Sequence, residues 1–135
     1  MYQPFHADRW EAALMHGPTY MGNPIACAAA NASVDLFESQ PRLEQVHSIQ
    51  QQMAQHLTPL GKLDQVDQVR CLGAIGAVRM KTEVNVPTAT RFFVQRGVWL
   101  RPIRDTIYLA PAFTIQPGEL SQLCDAIAEY VHTEV

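Results

Sequence analysis

The residues suited to chemistry are few. His16-Gly17-Pro18-Thr19 makes a stiff turn just ahead of a helix start. Pro18 fixes its own φ and biases Gly17 away from helix, which leaves Thr19 presenting a hydroxyl and a free N–H. Both can donate to one anionic oxygen, so Thr19 suits a single-point phosphate contact, although the repeated glycines of a phosphate cradle are missing. A plain loop held by proline is the alternative. Arg101 in "GVWLRP" is the second candidate: it ends an apolar strand that Pro102 breaks, and a guanidinium held there suits bidentate recognition of a carboxylate. Its alternative is a strand-end arginine paired with a local acid such as Asp105. His16 could serve as a general base or as a hydrogen-bonded structural residue; Tyr20 and Tyr108 are weaker candidates.

Amines are scarce. Of the 10 Lys+Arg residues only Lys62 and Lys81 are lysines. Lys62 follows Gly61 in a polar loop and Lys81 ends a strand beside Thr82-Glu83, so both read as solvated charges rather than buried nucleophiles. No Ser/His/Asp ordering, CxxC or HExxH spacing occurs, so no catalytic residue and no metal site is expected among these residues.

Length and composition frame these candidates. The chain has 135 residues, 47% hydrophobic and 17% charged, enough for a real core and too apolar for disorder. A formal charge of -3 gives no basic footprint for nucleic acid. No apolar run reaches the ~18 residues of a membrane span, and a cytoplasmic location is expected. Cys27, Cys71 and Cys124 each lie in an apolar stretch and read as small core residues in a reducing compartment.

The elements that must position the candidates follow from periodicity. Phe5, Trp10 and Leu14 near the start could pack only against something larger than their own segment. Asn23 suits an N-cap and Pro24 the first helical position of an alanine-rich helix over about 24–38, whose small side chains suggest burial. Leu43, Val46, Ile49, Met53 and Leu57 recur at helical spacing over about 41–58, and Pro59 and Gly61 end that helix. "VRCLGAIGAVRM", 69–80, reads as a buried strand whose glycines permit close approach or mark a bulge. A helix over about 87–96 turns Phe92 and Phe93 inward and stops at Gly97. Residues 98–113 read as two short strands joined around Pro102–Asp105, and a last helix opens at Gln116-Pro117-Gly118-Glu119 with Leu120, Leu123, Cys124, Ile127 and Val131 as its stripe. The expected class is α+β: a small, mainly antiparallel sheet covered on one face by helices.

Three stretches in order carry a family resemblance: "HGPTYMGNPIACAAANAS", "LGAIGAV" and "GVWLRPIRDTIYLAPAF". Together they resemble the C-terminal part of class III, fold-type I aminotransferases that use pyridoxal phosphate, over nearly all of residues 12–131. The "HGPT" opening, the "LGAIG" strand and the "GVWLRP…IYL" ending look more specifically like the members that take an amino group from S-adenosylmethionine and give it to 8-amino-7-oxononanoate in biotin synthesis. Tyr20, where phenylalanine is common, and Ala112, where a second proline is usual, are mild departures.

The resemblance implies specific roles. Gly17 would touch substrate, Pro18 and Thr19 would meet the pyridoxal phosphate of the opposite subunit of a homodimer, and Arg101 would bind the substrate carboxylate. The family's cofactor-bearing lysine would lie upstream of the "HGPT" turn, outside these residues. The expectation is therefore a small-domain fragment, inactive alone: residues 1–22 lead out of a large domain, and 23–135 form the small domain. Residues 1–22 would be mobile or borrowed by a neighbouring molecule, and apolar surface left uncovered would favour self-association. Two other readings stay open: a class III aminotransferase of the ω-amino acid or ornithine type, and a stand-alone binding domain that keeps the fold without the chemistry.

Overall fold

A computed structural model describes residues 8–12, Gly17 and residues 21–133. It falls into two units, residues 1–40 and 41–135.

Among its described residues the first unit contains a 3₁₀ turn, Trp10–Ala12, and helix α1, Pro24–Ser39. Asn23 caps α1: its side-chain oxygen accepts from the N–H groups of Ile25 at 3.0 Å and Ala26 at 3.1 Å, while Pro24 occupies the first turn where no N–H is needed. No residue of α1 is buried. This corrects the inference of burial drawn from its alanines, and with it the core assignment of Cys27, which is exposed. Alanine raises helix propensity whether or not a surface covers it. Trp10 is exposed as well. Tyr2, Phe5 and Leu14 lie outside the described residues.

The second unit is built from α2 (Arg42–Leu57), β1 (Val66–Leu72), β2 (Ile75–Met80), α3 (Val86–Gln95), β3 (Thr106–Leu109) and α4 (Pro117–Thr133), with a 3₁₀ turn at Thr58–Lys62. The strands form an antiparallel sheet in the order β1-β2-β3. The α+β class expected from the sequence is the one observed. The stretch 69–80 is two strands rather than one, because Gly73 takes φ 56° and reverses the chain. Its N–H donates to Oε1 of Gln50 on α2 at 2.6 Å.

Alternation along the strands sorts the two faces. Val66, Val78, Met80, Ile107 and Leu109 are buried beneath the helices. Gly76 is the point of closest approach: a Cβ there would stand 3.0 Å from Sδ of Met53 and 3.1 Å from Cδ1 of Leu57, both fully buried on α2. The sequence reading of a glycine that admits a neighbour holds at this position. Arg70, Leu72, Ile75, Arg79 and Tyr108 face outward and are exposed. A bulge at Val66/Gln68 leaves Asp67 unpaired in the ladder, and its carboxylate accepts from Arg79.

Helices α2 and α4 pack on each other and α4 also meets α3. Phe93 and Tyr130 are buried, with Phe92 edge-on to both. Phe93 points fully inward and Phe92 only partly, since Arg96 stacks over the Phe92 ring at 3.3 Å from its centroid.

Candidate carboxylate site on the segment after helix α3

The position of Arg101 is set by how α3 ends. Gly97 takes φ 73°, the Val98 N–H donates to Phe93 O at 3.1 Å, and the Gly97 N–H donates to Val94 O at 3.0 Å. These two bonds form a Schellman stop, which releases the chain as an extended segment. The stop is tied to α4: Gln122 Nε2 donates to Arg96 O at 3.1 Å, and the Arg96 guanidinium forms a bidentate pair with Glu129, its Nε donating at 2.6 Å. The hydrogen bond to Arg96 holds the Glu129 carboxyl below its ordinary pKa.

The released segment alternates. Val98, Leu100 and Pro102 are buried, whereas Trp99, Arg101 and Ile103 are exposed. Three inward side chains therefore pin the backbone and three outward ones share a side, with Arg101 between Trp99 and Ile103. Only one edge of the expected strand pair is a ladder strand. Pro102 has no N–H to donate, and pairing is confined to Ile103 and Thr106, which exchange bonds of 2.9 Å in both directions. Arg104 and Asp105 lie between that pair. The backbone oxygen of Asp105 accepts from Met80 N–H and that of Arg104 from Val84 N–H, both at 2.8 Å, which fastens the turn to the end of β2 and to the lead-in of α3.

Asp105 does not neutralise Arg101 here. Its Oδ1 accepts from the Thr106 hydroxyl at 2.8 Å, and among the described residues no ion pair involves Arg101. The arginine is held at its base and open at its tip, which is what capture of an external carboxylate requires. Tyr108 lies two residues into the next strand, on the outward face and partly exposed.

Gly17 is exposed, with open space where a side chain would stand. His16, Pro18, Thr19 and Tyr20 lie outside the described residues. Lys62, in the turn after α2, and Lys81, just after β2, are both exposed. Among the described residues no cluster of metal-ligating side chains occurs, and no helix is long and apolar enough to cross a membrane. The feature that composition alone missed is Arg104, whose left-handed backbone carries no sequence signature.

The model of the class III aminotransferases, pyridoxal-phosphate-dependent enzymes, matches residues 3–131, and the chain belongs to that family. An adenosylmethionine-8-amino-7-oxononanoate aminotransferase from Buchnera aphidicola subsp. Acyrthosiphon pisum is 43% identical over 114 residues, 84% of this chain and 27% of the relative. The enzyme of the same name from Methanocaldococcus jannaschii superposes with a TM-score of 0.76 at 27% identity, covering 90% of this chain and 30% of that one. An (S)-enantioselective omega-transaminase from Thermomicrobium roseum superposes with a TM-score of 0.78 at 28% identity, covering 94% and 30%. The chain thus spans between a quarter and a third of the length of the relatives it matches.

The described residues do not by themselves build a cradle for the family's cofactor. Gly17 stands open, and both lysines are exposed rather than enclosed. What they do build is an anchored, unpaired guanidinium.

Proposed function

We propose that this chain works as the C-terminal part of a pyridoxal-phosphate-dependent aminotransferase that moves an amino group from S-adenosylmethionine to 8-amino-7-oxononanoate in the cytoplasm. In this reading residues 23–135 are the small domain and residues 1–22 lead into it. Arg101 holds the carboxylate of the amino-acceptor substrate, Gly17 borders that substrate, and Pro18 and Thr19 meet the cofactor of the second subunit of a homodimer, with Thr19 donating to its phosphate. The chain alone does not transaminate, because its two lysines are exposed. The observation that carries the reading is the alternation of Val98–Ile103, which pins the backbone and leaves Arg101 free between Trp99 and Ile103.

The chemistry assigned to these residues is binding and orientation. A planar fork meets a carboxylate with two parallel N–H···O bonds and so fixes the direction as well as the depth of the substrate. The amine and the electron sink belong to the cofactor when bound. The identity to the biotin-pathway relative favours S-adenosylmethionine as donor over the ω-amino acid alternative.

The test uses the full-length aminotransferase that carries this chain. Arg101→Ala is expected to raise KM for 8-amino-7-oxononanoate by about 30-fold or more, since losing one partner of a desolvated charge pair costs about 2–5 kcal/mol. Arg101→Lys is expected to recover only part of that, because a point charge lacks the fork. Unchanged KM in the alanine variant sinks the clamp. Refusal of S-adenosylmethionine as donor, with an ω-amino acid accepted instead, moves the assignment to the other branch of the class. Nitrogen transfer by the isolated chain with pyridoxal phosphate overturns the claim of inactivity.

A further inference from the structure

We propose that Tyr108 is the second donor of the carboxylate site, its hydroxyl bonding to the same carboxylate that Arg101 grips. The inference rests on the assignment of Arg101 above. Its basis is the register of one hairpin. Ile103 and Thr106 exchange backbone bonds of 2.9 Å in both directions across a loop of two residues, Arg104 and Asp105. Two-residue hairpin loops take the primed turn types, whose first central residue has positive φ, and Arg104 supplies it at 56°. Counting back from the closing pair, Pro102 falls opposite Ile107 and Arg101 falls opposite Tyr108.

Burial follows that count even though ladder bonding stops at the closing pair. Leu100, Pro102, Ile107 and Leu109 are all buried, and Leu100, Ile107 and Leu109 belong to one core. Arg101 and Tyr108 each stand between two of these anchors, so both turn to the outward face. A carboxylate offers about four acceptor positions and a bidentate arginine takes two, which leaves positions for a phenol on the facing strand. The other polar side chains around Tyr108 are engaged or distant. Arg79, diagonal to it on β2, is held by Asp67, and the Thr106 hydroxyl donates to Asp105. Ala77 lies directly opposite on β2, and Arg70 is one strand further, about 10 Å from Tyr108. Among the described residues no hydrogen bond or ion pair engages the Tyr108 hydroxyl or the Arg101 guanidinium. Such a contact is local, so it needs no net charge on a substrate that carries an amino group as well as a carboxylate.

The test is a double-mutant cycle in the full-length enzyme, with Tyr108→Phe keeping the ring and removing only the hydroxyl. That variant is expected to raise KM for 8-amino-7-oxononanoate about 10-fold with kcat and thermal unfolding unchanged, the signature of a lost hydrogen bond to a charged group. In an Arg101→Ala background, where the carboxylate is no longer gripped, the same substitution is expected to change KM less than about 2-fold. An unaltered KM in Tyr108→Phe overturns the proposal. So does an equal factor in both backgrounds, which would mean that the two residues do not share one group. A flat Tyr108→Phe with a large Arg101→Ala effect removes this inference alone, and a silent Arg101→Ala removes the clamp on which it rests.

Discussion

Helices α1 and α4 are nearly equal in length, both are capped, and both are rich in apolar residues, yet their burial is opposite. None of α1 is buried, whereas Leu120, Cys124, Ala126, Ile127, Tyr130 and Val131 of α4 are. Their starts use related devices. Asn23 caps α1 with its side chain, and in α4 Glu119 reaches back to accept from the Gln116 N–H at 3.0 Å. The difference lies in spacing. Leu120, Cys124, Ile127 and Val131 step by four, three and four and form one stripe, whereas α1 distributes alanine around its whole circumference. Helix formation and burial are therefore separate properties: caps and alanine suffice for the first, and a stripe with a surface in the same unit is needed for the second.

The cysteines offer the widest separation. Cys27 of α1 is exposed and Cys124 of α4 is fully buried, where burial pushes its thiol from the ordinary 9.0 up to about 12. Three pH units lower the thiolate population about 1000-fold relative to an ordinary thiol, before access is considered. Alkylation at pH 8 is expected to modify Cys27 first, Cys71 later, and Cys124 only on unfolding; mass spectrometry of labelled peptides reads the order. The sign of the pH effect follows. Above pH 9 the unfolded chain releases a proton that native Cys124 keeps, so stability falls as pH climbs toward 12. Cys124→Ala is expected to flatten that decline. Early labelling of Cys124 in native chain would erase the contrast between the helices.

Matched isoleucines come next in size. Ile127 is fully buried in α4 and Ile25 is 81% exposed in α1. Ile127→Ala is expected to cost about 2–5 kcal/mol in urea unfolding, the sum of lost transfer energy and the cavity left behind. Ile25→Ala is expected to stay within about 0.5 kcal/mol. Similar losses at both sites would mean that α1 contributes to the stability of the second unit, contrary to its exposure.

The same contrast explains what could be read from sequence. The stripe of α4 and that of α2 were legible because spacing encodes burial directly. The Asn23-Pro24 start was legible because a cap is a local device. The exposure of α1 is not legible in its alanines, because alanine reports propensity and is silent about neighbours. Sequence alone renders the hairpin inside 69–80 as one strand because Gly73 and Gly76 look alike there. One supplies a positive φ and the other a gap for Met53 and Leu57, and only the three-dimensional arrangement separates them. Arg101 was legible as a candidate from its apolar neighbours and Pro102. That Asp105 is occupied by Thr106, and that Arg104 is strained, depend on a turn no local pattern announces.

The smallest effect probes α1 alone. Asn23→Ala removes the acceptor for two helix-end donors, the N–H groups of Ile25 and Ala26. Loss of such a cap costs about 1 kcal/mol. Because no residue of α1 is buried, that cost is expected to appear as fraying of the helix itself and not as a shift in global unfolding. Amide exchange in the first two turns of α1 is expected to quicken about 5-fold, while the amides of α4 keep their rates. Asn23→Asp is expected to restore protection, since a carboxylate both accepts and faces the positive end of the helix dipole. Faster exchange in α4 upon Asn23→Ala would show that the helices are energetically joined, and the distinction between a helix that forms by its own propensity and one held by its neighbours would then fail for α1.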